Sequence, residues 1–564
     1  MENKNVFIAI ALSMSVLLFW SAFVDSPQPI DTQNQKVVNT QSKDKITDNG
    51  IVPNIGETIA KENISREVSL KKTNRILLEN KKIKGSISLV GATIDDLSFK
   101  NYKTNIKSND IVQFLNPKET KNGYFAESGW ASIGNKIKVP TNKSIWSVVG
   151  NKVLSVNNPI TLEWNNGSNL IFRKKIEIDD NYLFKINQEV KNNSSEQVEL
   201  YPYAQLTRKN IPEDLKGFYI LHEGFIAVLD DELKEDDYDD IEEKKIVREA
   251  DKGWIGITDK YWMTALIPEA GEKFKSTFLY QGAYKANFLL NNPKIIAPYA
   301  KANNEIKIFV AAKEVQTIDA YAEKENIEKL DLIIDWGWFY FFTKPLFFAV
   351  DYLFKLTGNF GIAIVLITIM IRLIFFPLAS YSFKSMAKMK ALQPEMARLK
   401  DLHKDDKTKL QQAIMALYKK EQINPASGCL PVLIQIPFFF AIYKMLFISL
   451  EMRHQPFFGW IKDLSASDPT TIFNLFGLLP FTPPSFLIIG IWPILMGLTM
   501  FVQQKLNPAP TDPIQAKIFM FFPIFLTVIL ASFPSGLVVY WTVNNILTIA
   551  QQWFIMKRTT VKTN

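Results

Sequence analysis

Two rhythms of hydrophobic and polar positions divide this 564-residue chain. One consists of long apolar runs. The first, Val6–Val24, follows a short polar N-terminus, and its length suits a hydrocarbon core of about 30 Å at about 1.5 Å per residue. Five more fill the second half: Asn359–Phe383, Gly428–Leu450, Ser485–Gln504, Ile514–Phe533 and Ser535–Lys557. The other rhythm, from Ile64 to Ala320, is a series of short alternating runs between Asn/Gly/Pro/Asp clusters. Ile171–Ile178 leads through Asp179-Asp180-Asn181 into Tyr182–Ile186, which reads as a β-hairpin, and the whole region as a large all-β sandwich. The acidic stretch Asp230–Glu243 reads as a solvated loop, with a cation site as the sharper alternative.

The expected fold is therefore an α-helical polytopic membrane protein with six transmembrane helices, five of them forming a core, and a large all-β sandwich outside. Residues 1–25 are read as an uncleaved signal anchor. The alternative, a cleaved signal peptide, wants a small residue where Trp20-Ser21-Ala22 has a bulky one. Residues 26–63 are Gln/Asn/Thr/Lys/Pro-rich and read as a flexible linker. The sandwich takes 64–320, and a linker with an interfacial amphipathic helix takes 321–358. There Trp336–Phe348 is aromatic and contains Pro345. The five-helix core takes 359–557, with a helical hairpin at 384–425, and a short tail takes 558–564.

Charge orients this arrangement. The Lys384–Pro425 segment carries nine Lys and one Arg against five acids, whereas Glu451–Pro484 has two basic residues against three acids. The positive-inside rule puts the first in the cytoplasm, and alternation then leaves both termini inside and the β-domain outside. The overall charge of +8 is explained by this asymmetry without nucleic acid.

Candidate chemistry is decided by what the apolar runs lack. They contain no Asp, Glu or His, the groups an aspartyl or zinc intramembrane protease requires. The single cysteine, Cys429, and three scattered histidines offer no disulfide and no spaced metal set. No cofactor is expected. Lys517 and Lys557 lie at span ends and can snorkel, and Lys444 is expected to reach the outer interface. Arg372 is different. It lies thirteen residues past Asn359, about 20 Å along the helix. An unmatched arginine at such depth costs at least ~2.5–3.5 kcal/mol. With no carboxylate in a span to meet it, Arg372 is expected to be hydrated or to face a substrate. Thr368 is one turn earlier on the same face, and Gln435, Asn544, Asn545, Gln551 and Gln552 add polar groups, together suggesting a wet groove.

The hairpin should place Met386, Met389, Leu392, Met396 and Leu399 on one helix, interrupted at Pro394. Asp405 or Asp406 should cap a return helix that carries Leu410, Ile414 and Leu417. Such a pair either packs on itself or offers a Met-rich face to apolar segments.

Motifs spread over nearly the whole chain carry a resemblance. In the β-region these are Gly85–Leu89 with Gly91–Leu97, Tyr124–Trp130 and Trp254–Trp262. In the helical part they are Asp335–Trp338, Asn359-Phe360-Gly361, Arg372 with Phe376-Pro377-Leu378, and Gln393-Pro394. Ala416–Lys419, Asn424-Pro425, Gly428–Pro431, Gln435-Ile436-Pro437 and Phe533–Leu537 complete the set. The chain resembles the YidC/Oxa/Alb family of membrane protein insertases in its Gram-negative form. The resemblance implies a bacterial inner-membrane insertase and folding chaperone, not an enzyme. It implies a groove open to cytoplasm and bilayer, built here from Arg372, Thr368, Gln435, Tyr540, Trp541, Asn544 and Asn545. Met386, Met389, Met396 and Tyr418 would be the working residues of the hairpin. The implied partners are newly made membrane proteins, the lipid bilayer and the Sec translocon (SecYEG, SecDF). A ribosome contact stays open, because the tail after Met556 is short. Two other readings remain: a carbohydrate-binding or carbohydrate-modifying β-domain, since that domain is linked through the family to mutarotase-like folds, or an envelope scaffold.

Overall fold

The computed structural model describes residues 63–558, apart from 214, 216–220, 338, 405, 425–429, 478, 480, 482, 485–487 and 509–512. The expected signal anchor and nearly all of the linker after it lie outside the described residues.

Alternating side chains build two facing sheets. An 11-stranded sheet has Thr93–Lys103, Tyr124–Ala131, Val198–Arg208 and Tyr284–Leu290 at its centre. A 9-stranded sheet is centred on Trp262–Ile267, Lys301–Ala312, Leu183–Asn192 and Leu170–Ile178. The sandwich is as expected, and so is the hairpin, whose register runs from Phe184↔Ile178 to Asn192↔Leu170. Phe172, Ile176, Phe184, Ile186 and Val190 from its inner face are buried in the main core. Helix α1 (Arg66–Lys71) precedes the first strand.

The acidic stretch is not a loop. Glu232–Asp236 is a strand paired with Gly224–Leu229, and Tyr238–Glu243 is a short helix, α2. Tyr238 and Ile241 are buried among the acids, and these apolar anchors convert a charged run into an ordered edge.

Helix α3 (Val315–Lys324) leaves the last strand, and α4 (Tyr340–Thr357) follows. The expected helix at Trp336–Phe348 is displaced: it begins at Tyr340 and continues to Thr357, with Pro345 inside. Six residues into the helix, Pro345 removes one amide without ending it.

The remaining helices are α5 (Phe360–Ile374), α6 (Phe376–Ala391), α7 (Gln393–Leu402), α8 (Lys407–Lys420) and α9 (Leu430–Ile448). They continue with α10 (Ile491–Leu506), α11 (Pro513–Leu530) and α12 (Ser535–Arg558). The run Asn359–Phe383 is not one straight span. It breaks at Phe375, and α5 and α6 meet at a bend of 68°. Pro377 supplies the cause: it lacks the amide that would bond the Leu373 carbonyl, and its ring crowds that turn. Among the described residues, no single helix is both long and apolar enough to cross a membrane, and this bent pair alone meets that standard jointly. Small residues allow close packing between neighbours. A Cβ on Gly361 would run into the Phe457 ring at 1.9 Å, and one on Gly497 would meet Thr527 Oγ1 at 2.1 Å.

Candidate functional site

The polar residues gather where three helices converge. Arg372 lies in the last turn of α5. Its Nε donates to Asn544 Oδ1 at 3.0 Å, and its Nη2 to the same oxygen at 2.6 Å. Nη2 also reaches Thr548 Oγ1 at 2.5 Å, Gln435 Oε1 at 3.2 Å and the Asn544 carbonyl at 3.4 Å. Gln435 Nε2 donates in turn to Asn544 Oδ1 at 2.7 Å. One guanidinium thus ties α5, α9 and α12 together through neutral oxygens. Among the described residues no carboxylate bonds to Arg372, and Nη1 donates to none of them.

Arg372 is expected from the sequence to be hydrated or to face a substrate; the structure adds three neutral side-chain partners that were not expected. Two of its three nitrogens are engaged by protein, and it still carries an uncompensated positive charge. Beside it is a cleft of about 30 Å³, lined by Arg372, Gln435, Ile371, Phe375, Leu378, Ala379 and Phe438. That is room for about two waters.

Not every expected member is present. Thr368 is 2% exposed, and its hydroxyl donates to the Ile364 carbonyl at 2.6 Å. Helical threonine commonly bonds back one turn in this way, so its hydroxyl faces its own backbone rather than Arg372. Asn545 bonds Thr499 Oγ1 on α10 at 3.2 Å, and Gln552 bonds Asn507 at 3.1 Å. Successive residues stand about 100° apart on a 3.6-residue helix, so Asn544 and Asn545 cannot share one face. Tyr540 is buried beside Gln435 and Arg372. Trp541 is half-buried with its ring 4.7 Å from Phe439. Thr548 also belongs to the cluster, and its place one turn beyond Asn544 is the signal for it in the sequence.

Lys444, which by helix rise can reach the outer interface, has a protein partner. Its Nζ pairs with Asp335 at 2.7 Å, and both side chains are largely covered. A Cβ at Gly337, where φ is +72°, would come within 3.1 Å of the Lys444 stem. Asp335 stands outside every apolar run, so a count of charges within the runs does not reveal it as a partner. Further contacts join the end of α9 to the β-domain: Glu451 accepts from the Val315 amide at 2.9 Å, and Arg453 stacks 5.5 Å from the Trp262 ring.

In the hairpin, Asp406 caps α8 by accepting from the amides of Thr408 and Lys409. Met386 and Met389 are buried with Ala379, Phe383, Ile423 and Ile555, with Tyr418 packed alongside. Tyr418 also donates to Met396 Sδ at 3.5 Å. Met386 and Met389 therefore pack on the helices, while Met396 is half-buried. Leu402 and Met415 are exposed large apolar side chains on α7 and α8, at 72% and 53%.

Comparison with known proteins bears on the whole chain. Residues 75–349 match the family described as YidC periplasmic domain, and residues 352–562 that described as 60Kd inner membrane protein. A protein of Pelagibacter ubique named membrane protein insertase YidC is 52% identical over 563 residues, covering all of both chains. The chain belongs to the YidC family. Relatives of the same name from Brucella suis and Rickettsia conorii are each 45% identical. They cover 100% and 98% of this chain and 97% and 99% of their own length. A crystal structure of an active YidC insertase with its first transmembrane domain resolved covers 87% of this chain and 95% of its own. It is 18% identical, with a TM-score of 0.35. A galactose mutarotase related enzyme from Lactobacillus acidophilus covers 42% of this chain and 98% of its own, at 13% identity and a TM-score of 0.30. Similarities that slight carry no argument about activity. In the YidC family, the motifs around Arg372 and Asp335–Trp338 fall within the matched regions.

Proposed function

We propose that this chain is a membrane protein insertase and folding chaperone of the bacterial inner membrane. The observation that carries the reading is identity of 45–52% over essentially full length to chains named membrane protein insertase. In this reading the chain crosses the membrane six times, five spans forming the core, with both termini cytoplasmic and the β-domain periplasmic. The apolar runs and the excess of Lys and Arg at 384–425 support it. Its clients are newly made membrane proteins, received alone or beside the Sec translocon.

The physical task is to bring a polar flank across a layer where each dehydrated polar group costs several kcal/mol. Arg372 lowers that cost for acidic flanks. Its positive charge is held by neutral oxygens, and Nη1 remains to meet a carboxylate. The apolar part of the client leaves along the exposed faces of the helices. No bond is made or broken, and relatives named as insertases leave little place for an enzymatic β-domain.

Removing residues 64–320 while keeping the helices tests this directly. Proteoliposomes carrying the shortened chain should still insert a small single-span client. Loss of insertion with the helices still folded would assign the work to the β-domain.

A further inference from the structure

Around Arg372 every acceptor among the described residues is neutral: Asn544 Oδ1, the Asn544 carbonyl, Gln435 Oε1 and Thr548 Oγ1. Asn544 Oδ1 is the anchor of the set. It receives Arg372 Nε at 3.0 Å, Arg372 Nη2 at 2.6 Å and Gln435 Nε2 at 2.7 Å. Three donors on one oxygen fix which way the amide faces, because Nδ2 in that place would set donor against donor. The same bonds hold the Nε–Nη2 edge of the guanidinium against α12, and Nη1 is bonded to no described residue. The neighbouring amide does not share this work, since Asn545 bonds Thr499 on α10 at 3.2 Å.

Hydrogen bonding alone would put an aspartate at 544. It has the shape of asparagine, accepts the same donors more strongly when charged, and would neutralise a cation that apolar surroundings penalise. The chain does use this solution at Lys444, which pairs with Asp335 at 2.7 Å. At Arg372 it places an amide in the carboxylate's position. We propose that Asn544 is a positioning residue that sets client specificity: its neutral oxygen orients Arg372 and leaves the positive charge uncancelled for an acidic flank of the client. The proposal rests on the insertase reading and deepens it, because charge selectivity then belongs to the residue facing Arg372 as much as to Arg372 itself.

Proteoliposomes carrying the full chain test it, with one client whose translocated flank is acidic and the same client with that flank neutralised. The readout is the ratio of the two insertion rates, taken beside the thermal unfolding of each variant. N544D should unfold at or above the wild-type temperature and yet lower the acidic-to-neutral ratio by about tenfold, the loss expected if the Arg372 charge were absent. N544S keeps a neutral acceptor and should stay near the wild-type ratio while unfolding at a lower temperature. Stability and selectivity thus move in opposite directions, which a purely structural role for Asn544 would not produce. Should N544D fail to fold, Q435E carries the same test, since Gln435 Oε1 lies 3.2 Å from Nη2, and it should lower the ratio likewise. A wild-type ratio in the folded acidic variant would overturn the proposal, as would an equal fall in N544S. A wild type that inserts neither client would overturn the insertase reading together with it, so the two failures are told apart.

Discussion

Arg372 and Lys444 show how differently two cations in apolar helices can be held. Arg372 meets Asn544, Gln435 and Thr548, all uncharged, whereas Lys444 is neutralised by Asp335. The first was legible in the sequence because no carboxylate shares its span. The partners were only half legible: which of Asn544 and Asn545 faces Arg372 depends on helix rotation, and the Asp335 contact on a turn at Gly337. For Lys444 the expected outcome is explicit. Breaking a largely covered pair by K444M should cost about 3 kcal/mol in thermal unfolding, since the remaining carboxylate loses its counter-charge. The reversed pair, D335K with K444D, should recover most of that. Equal destabilisation by the single and the double variant would mean that the contact contributes through packing alone.

At the scale of elements, the bend at Phe375 redirects α6 toward the hairpin. A proline after a phenylalanine signals such a break, but in an apolar run its effect is masked by the hydrophobic count. The hairpin carries few buried contacts, and α7 buries none of its residues. Low burial favours local opening. Photo-cross-linkers at Met415 on α8 and at Leu378 beside Arg372 should therefore capture a nascent chain in that order. Earlier capture at Leu378 would place the hairpin outside the entry route.

The junction of α9 with the β-domain makes a second element-scale prediction. Glu451 is half-buried as a residue, but its Oε2 is covered and meets no partner among the described residues, and Glu314 and Asp351 are nearby. Burial foremost, then those two carboxylates, push its carboxyl up from 4.5 to about 7. The folded state holds this proton more tightly than the unfolded state. Its contribution is therefore full below about pH 4.5 and is lost as pH rises through about 7, on the order of 3 kcal/mol. E451Q should flatten that part of the stability profile and make the protein more stable than wild type at pH 8. An unchanged slope between pH 4.5 and 7 would show that Glu451 is charged throughout.

Across the whole molecule, the β-sandwich and the helical C-terminal part were legible because the alternating pattern fills one continuous stretch, 64–320, and long apolar runs fill the chain after 359. The ordered acidic edge at 232–243 was not, since its two apolar anchors are outnumbered by charges. The partners of the polar residues were not legible either. A count of polar residues says nothing about which of them spend their hydrogen bonds on their own helices, as Thr368 does.

The central claim is that Arg372 acts as a positive charge offered to the client and does not serve only as a clamp on α5, α9 and α12. Reconstituted insertion should be compared for one client with an acidic translocated flank and the same client with that flank neutralised. Wild type, R372K and R372A would each be measured. A lysine keeps the charge but loses the planar fork, so R372K should retain most activity with both clients. R372A should slow the acidic client by about tenfold, equivalent to ~1.4 kcal/mol in the limiting step, and leave the neutral client much less affected. Equal slowing of both clients by R372A, with R372K no better, would contradict the account and leave Arg372 as a tie between helices.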